Sequence, residues 1–347
     1  MSMLTEAARA KLAQLGKVNL GFYPTRLHRL DCLSKALGVD LWIKREDLSG
    51  ISLFGGNKVR KLQYLMKDAI EKGCDTVYTY GATQSNHAMQ TATAARRCGL
   101  DPELWLEAVV EPKPDDVRAN LLLDRILGAK IHIIPAGLKP EELQAITAKR
   151  TAELEAEGHR VYDIPVGGST PLGAAGFAEC YVELKEQTEA LELSPAYVCT
   201  ATGSGGTLAG LVAGRTMIGD TDTAIRAYTA DVKDEAAYPV SIVDKANALL
   251  DLIGERARVR ADDFHVEYKY FLPGYEKPNP EANDDIRLMA RTEGIFLDPV
   301  YSGKAFHGMC DEIRSGVIAK GSTVVFLHTG GATALFSEAE IIGNLND

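Results

Sequence analysis

The alternation of short apolar runs with longer amphipathic ones constrains this chain most. Strand-like runs at 41–44, 76–80, 103–108, 130–134 and 160–164 alternate with helix-periodic runs at 59–72, 85–98, 116–127 and 140–157. Several of the helical runs stop at a glycine, as Gly73, Gly99 and Gly128 do. The same rhythm resumes with a helix at 173–193, then strands at 197–200, 225–228, 266–270 and 324–327. The helices between these strands are predicted at 208–216 and 234–253, with two more ending near 293 and 315. Strands each followed by a helix of this length imply parallel sheets with right-handed crossovers. Between the two halves, residues 165–173 shift to Gly, Pro and Ser, a candidate hinge.

Composition narrows the class further. A chain of 347 residues with 46% hydrophobic and 25% charged content is long enough for one large or two ordinary α/β domains. A formal charge of −10 with no basic block argues against nucleic acid as a partner. No apolar run approaches the length that spans a membrane, and residues 1–16 read as a short amphipathic helix, not a secretory leader. The six cysteines are scattered, without a CxxC pair, so neither a disulfide framework nor a metal site is expected. Reduced thiols in a cytoplasmic protein are the default reading.

The candidate chemistry starts at Phe54-Gly55-Gly56-Asn57-Lys58. Apolar residues recur from Val59 through Leu62, Met66, Ala69 and Ile70, so Lys58 sits at the mouth of a helix behind a glycine loop. The positive end of a helix dipole disfavours the ammonium form, and a lysine of lowered pKa can act as an amine nucleophile. The competing reading makes Lys58, Arg60, Lys61 and Lys67 the wet face of an amphipathic helix.

Other stretches shift the balance. Residues 197–207 run from a strand through Gly203-Ser204-Gly205-Gly206-Thr207 into a helix, a turn that aims several N–H groups at one point and can hold a phosphate. Leu208 stands where a dinucleotide fingerprint needs its third glycine, so a monophosphate fits better. Ser85, Asn86 and His87 gather a hydroxyl, an amide and an imidazole at a predicted helix start, although Ser85 also suits a plain N-cap. Tyr275 and Tyr301 lie in loops flanked by glycine and proline, as candidate general acids. Thr329 ends the last strand, where α/β sheets contact ligands.

Taken in order, Lys44-Arg45-Glu46-Asp47, Gly55-Gly56-Asn57-Lys58, Gln84-Ser85-Asn86-His87, Gly203–Thr207, Asp298-Pro299-Val300-Tyr301 and His328-Thr329-Gly330-Gly331 resemble one family. It is the group of pyridoxal-phosphate enzymes containing D-cysteine desulfhydrase and 1-aminocyclopropane-1-carboxylate (ACC) deaminase, with the tryptophan-synthase-β fold. The resemblance implies two α/β domains with open parallel sheets flanked by helices, a discontinuous large one (1–51 and 165–347) and a small one (52–164). It implies pyridoxal 5'-phosphate as cofactor, a small amino acid as substrate and a homodimer. Lys58 would carry the cofactor as a Schiff base and move the α-proton. Gly203, Ser204, Gly205, Gly206 and Thr207 would hold the phosphate, and Asn86 the ring oxygen. Ser85, Asn86, His87 and Ser302 would meet the substrate, Ser85 as nucleophile or carboxylate binder. Tyr275 and Tyr301 would flank the reacting carbon.

Within the family, ACC deaminases resemble Tyr-Glu-Gly after the proline-valine and Leu before the final Gly-Gly. Here Ser302 and Thr329 look like the desulfhydrase. A hydroxyl at the pyridine nitrogen makes a weaker electron sink than a carboxylate, sufficient where a thiolate leaves readily. Met89 replaces a usual arginine, Phe54 and its loop look more like the deaminases, and Tyr78 and Tyr80 add aromatic bulk. The expectation is α,β-elimination of D-cysteine to pyruvate, sulfide and ammonia. Cysteate elimination, ACC deamination and a non-catalytic amino-acid-binding descendant are the alternatives.

Overall fold

The computed structural model of the protein describes residues 2–51, 55–108, 117–275, 277–337 and 342–343. In chain order its elements begin α1 (Met3–Ala13), β1 (Leu27–Arg29), α2 (Asp31–Leu37), β2 (Asp40–Arg45), α3 (Asn57–Glu71), β3 (Thr76–Ala82), α4 (Asn86–Arg97) and β4 (Asp101–Ala108). They continue with α5 (Ala119–Ile126), β5 (Lys130–Pro135), α6 (Pro140–Ala156), β6 (Val161–Ile164), α7 (Pro171–Ala190), β7 (Tyr197–Thr202), α8 (Gly206–Met217) and β8 (Ala224–Thr229). The last are α9 (Ala237–Leu252), β9 (Phe264–Glu267), α10 (Pro280–Glu293), α11 (Ser302–Arg314), β10 (Thr323–His328) and α12 (Ala334–Ser337).

The strands form two sheets, as the alternation predicts. The larger has the order β1-β2-β10-β7-β8-β9 and the smaller β5-β4-β3-β6. Every pairing is parallel except that of β1 with β2. β10 is central because Val324, Val325, Phe326 and Leu327 are all buried, the continuous apolar run of a strand covered on both faces. Phe326 lies between Ile43 and Cys199 in register, and burying such a side chain contributes about 1.5–3 kcal/mol. Helices α1, α7, α8 and α9 cover one face of this sheet, and α2, α10 and α11 the other. Around the smaller sheet, α3, α4 and α5 pack on one side and α6 on the other.

Helix α3 joins the two halves. It packs on α7 where a Cβ added at Gly176 would stand 2.5 Å from the Arg60 carbonyl, so only glycine lets the helices approach this closely. The antiparallel bridge between Gly56 and Gly330 then ties the start of α3 to the end of β10.

Some local expectations shift. The strand predicted at 266–270 is β9, paired with β8 from Phe264 to Glu267. Tyr270 lies beyond it, its ring edge-on to Tyr228 and its hydroxyl on Asp311. The helix predicted from 234 starts at Ala237, because Asp234 Oδ1 accepts from the N–H groups of Ala236 and Ala237. The short elements β1 and α2 escape the periodicity, being three and seven residues long. Residue 116, the predicted start of the helix before Gly128, and Phe54 lie outside the described residues. The glycine-rich stretch 165–173 holds a short 3-10 turn at Val166–Gly168, and Thr170 caps α7. Among the described residues, no helix is long and apolar enough to cross a membrane.

Candidate active site

A cavity of about 460 Å³ lies where the C-terminal ends of strands from both sheets face each other, and Lys58 lines it. The neighbouring Asn57 fixes the lysine loop from three directions. Its N–H donates to the Thr329 carbonyl (3.0 Å), its amide nitrogen to Thr207 Oγ1 (2.9 Å), and its Oδ1 accepts from Lys58 Nζ (2.8 Å). The Lys58 ammonium is held down at about 8, chiefly by desolvation, with the Asp298 carboxylate pulling the other way. Burial, not the helix dipole alone, is thus what supplies a neutral amine.

One turn along α3, Lys61 is buried as well, donating to the Gly167 carbonyl at 3.1 Å. Burial pushes its pKa well down, and the charges of Lys58 and Lys245 push it further. The wet-face reading therefore fails for Arg60 and Lys61, both fully buried.

The turn after β7 is tight, as its glycines imply. Gly205 takes φ +85°, and a Cβ there would meet Ile242 Cδ1 at 2.4 Å. Gly206 opens α8. The N–H groups of Ser204, Gly205, Gly206 and Thr207 have no protein acceptor among the described residues. The carbonyls of Gly203 and Ser204, by contrast, are held from behind. Tyr238 donates to Gly203 O (2.9 Å), while Ser169 (2.6 Å) and Lys245 (3.3 Å) donate to Ser204 O. Lys61 and Lys245 were missed by the sequence reading; the signal for Lys61 was its i+3 spacing from Lys58.

Ser85 caps α4, its Oγ accepting from Ala88 N at 3.2 Å, and it lines the cavity. Asn86 Oδ1 accepts from Asn120 Nδ2 (2.9 Å) and Thr333 Oγ1 (2.7 Å), which leaves its Nδ2 as the donor for a ligand. His87 also lines the cavity, but its Nε2 lies 2.7 Å from Thr79 Oγ1. The Thr79 proton goes to the Ile164 carbonyl, so Nε2 carries the hydrogen and donates. Burial keeps this imidazole neutral, its pKa well below the ordinary value. Met89 is buried in α4 and does not line the cavity.

Tyr275 and Tyr301 meet across the cavity, hydroxyl to hydroxyl, with their rings edge to face at 5.7 Å. Thr329 lines it at the end of β10. Ser302 does not. It is fully buried, its hydroxyl donating to Asp298 Oδ1 and its N–H to the same oxygen (2.8 Å). Asp298 Oδ2 accepts from Val300 and Tyr301 (2.9 and 2.6 Å), so this carboxylate organises the loop that carries Tyr301. The expectation that Ser302 touches substrate is corrected: a short hydroxyl at the start of α11 is satisfied within its own turn.

A lysine poised near neutrality, facing a turn of unpaired N–H groups in a cleft between two parallel sheets, defines a site for an aldehyde that carries a phosphate. The comparisons with known proteins agree. The family model for pyridoxal-phosphate dependent enzymes matches residues 18–330. The D-cysteine desulfhydrase of Serratia proteamaculans (strain 568) is 38% identical over 330 residues, 94% of this chain and 97% of its own. A putative ACC deaminase of Pyrococcus furiosus is 36% identical over 326 residues, 94% of each chain. A crystal structure of an ACC deaminase homologue superposes with a TM-score of 0.87 at 34% identity, over 99% of both chains.

The chain belongs to the pyridoxal-phosphate dependent enzymes, in the family of D-cysteine desulfhydrases and ACC deaminases. Its fold is the type II fold of those enzymes, its cofactor is pyridoxal 5'-phosphate, and it is a lyase of that family. The donor set fits the cofactor: a near-neutral amine for its aldehyde, amides without a protein acceptor among the described residues and buried lysine side chains for its phosphate, and the Asn86 amide for its ring oxygen.

Proposed function

We propose that this enzyme catalyses α,β-elimination on D-cysteine or a close β-substituted alanine, giving pyruvate, sulfide and ammonia. One observation carries the reading. Thr329 lines the cavity beside Gly330 and Gly331, while the nearby Asp298 carboxylate is saturated by backbone N–H groups and the Ser302 hydroxyl. That supports a hydroxyl, not a carboxylate, as the partner of the pyridine nitrogen. When bound, the cofactor supplies an electron sink to the substrate's α-carbon. A sink without a carboxylate partner is the weaker kind, matched to a substrate whose leaving group departs readily.

In this reading Lys58 holds the cofactor and, released as a neutral amine, takes the α-proton. Ser204 to Thr207 bind the phosphate through their amides, and its negative charge would restore the protons that burial disfavours on Lys61 and Lys245. Ser85 and the first turn of α4 receive the substrate carboxylate. His87 orients that turn through Thr79. The Tyr275–Tyr301 pair delivers a proton to the departing sulfur. The two sheets act as two bodies, dividing near residues 51 and 164, whose closure excludes water from the cleft. A cytoplasmic homodimer is proposed from the family resemblance.

The test is sulfide and pyruvate release from D-cysteine, with L-cysteine, L-cysteate and ACC in parallel. D-selective sulfide supports the reading. 2-Oxobutanoate from ACC, without sulfide from cysteine, replaces it with the deaminase.

A further inference from the structure

The cavity extends past the groups that serve the cofactor, along one face of the smaller sheet. Tyr80 and Trp105 are register partners on β3 and β4, and Glu107 and Ile134 on β4 and β5, so all four side chains share a face. All four line the cavity, and Leu143 of α6 does so from above them. The wall is stiff. The Trp105 ring stacks on His132 (centroids 4.0 Å, planes 10° apart) and meets Tyr78 edge-on at 5.8 Å. The Tyr80 hydroxyl is drawn to Asp163 at 3.1 Å. Glu107 accepts from Gly137 N at 2.8 Å and has no basic partner among the described residues.

The lysines that line the cavity are otherwise engaged. Lys58 and Lys61 face the cofactor end, and Lys233 is paired with Asp231 at 2.8 Å. A bare sulfide needs no such wall. A sulfonate would meet Glu107 with no cation to hold it. Two aromatic faces and two aliphatic side chains suit an apolar group on the sulfur.

We propose that Tyr80, Trp105, Glu107, Ile134 and Leu143 form a leaving-group pocket that selects S-substituted cysteines, with an uncharged aryl or alkyl group on sulfur. The inference rests on the elimination reading above. The Cα–H and Cβ–S bonds break, the Cβ–S electron pair leaves on sulfur, and a proton makes the free thiol. Water then releases pyruvate and ammonia from the three-carbon remainder, with no net oxidation.

The experiment compares kcat/KM for cysteine, S-benzylcysteine and S-carboxymethylcysteine, both hands of each, on the cofactor-loaded enzyme. Calorimetric binding of the same compounds to Lys58→Ala runs alongside. S-benzylcysteine is expected to exceed cysteine by about tenfold or more, with the anionic S-carboxymethyl compound poorest. Leu143→Trp should lower the benzyl-to-cysteine ratio about tenfold, and Glu107→Gln should raise the carboxymethyl-to-benzyl ratio. If cysteine is split and S-benzylcysteine is neither bound nor split, the pocket is refuted and the elimination stands. If nothing yields pyruvate while S-benzylcysteine binds Lys58→Ala more tightly than cysteine does, the pocket stands and the elimination falls. If it neither binds nor reacts and cysteine is also inert, both fall.

Discussion

Asn57 donates its side-chain amide to Thr207 Oγ1 across 2.9 Å, bonding the loop that carries the lysine to the turn that faces the phosphate. The same side chain accepts from Lys58 Nζ, so a single residue sets the distance between the two ends of the cofactor site. Asn57→Ala removes both bonds and leaves the helix in place. We expect kcat to fall about a hundredfold, the cost of misplacing a reacting group by an ångström, with a smaller change in KM. Steady-state kinetics beside a far-ultraviolet spectrum checks it. An unchanged kcat would mean that the loop is held by its backbone bonds alone.

The Lys58 amine, lowered from 10.5 to about 8, makes cofactor loading pH-dependent. Only the unprotonated amine attacks an aldehyde, so the loading rate of the apo-protein should climb with pH and level off above about 8. A stopped-flow rate profile reads this directly. An inflection near 10.5 would show an amine that is not desolvated. Lys58→Ala should fold and give no turnover.

The residues that announced themselves in sequence did so because backbone geometry demanded a residue type. Gly205 needs its positive φ, Ser85 caps α4, and the alternation around β7 and β10 is that of covered parallel strands. Charged residues are different. Lys61 stands one turn from Lys58 and Lys67 half-way round the helix from it, and one is sealed beneath Gly167 while the other reaches Glu71 at the surface. The residue type alone does not say whether the head is wet or buried. Ser302 was misjudged because its position beside Tyr301 concealed a turn closed by Asp298. Trp105 and Glu107 were passed over because polar–apolar alternation on a strand does not reveal which face meets a cavity.

Beneath the lysine, Arg60 forms a two-pronged pair with Glu46 (2.7 and 2.9 Å) and a third bond to Glu183 (2.9 Å), all buried. Its guanidinium also lies 4.2 Å from the centre of the Tyr23 ring. Arg60→Met would leave the Glu46 carboxylate buried without its cation, a loss of about 3–5 kcal/mol. Denaturant unfolding should show this, and Glu46→Gln added to Arg60→Met should restore part of it. If the single variant costs nothing, the buried ion pair does not hold this region together.

Asp124, taken by itself, makes stability fall as the pH rises. It is buried on α5, one turn after Asn120, and neither carboxyl oxygen has a partner among the described residues. Burial alone raises its pKa from 3.8 to about 8. The folded state therefore keeps a proton that the unfolded chain releases near pH 4, and between about 4 and 8 the unfolded state binds fewer protons than the folded one. This group's contribution to stability is full below pH 4 and is lost progressively as the pH rises toward 8. Asp124→Asn keeps the shape without the ionisation, so its margin over the parent should widen from pH 5 to pH 8 by up to about 1.4 kcal/mol per pH unit. Melting temperatures of both proteins across pH 5–9 test this. Parallel curves would show that the carboxyl finds a partner or water on ionising, and would remove Asp124 as a source of alkaline instability.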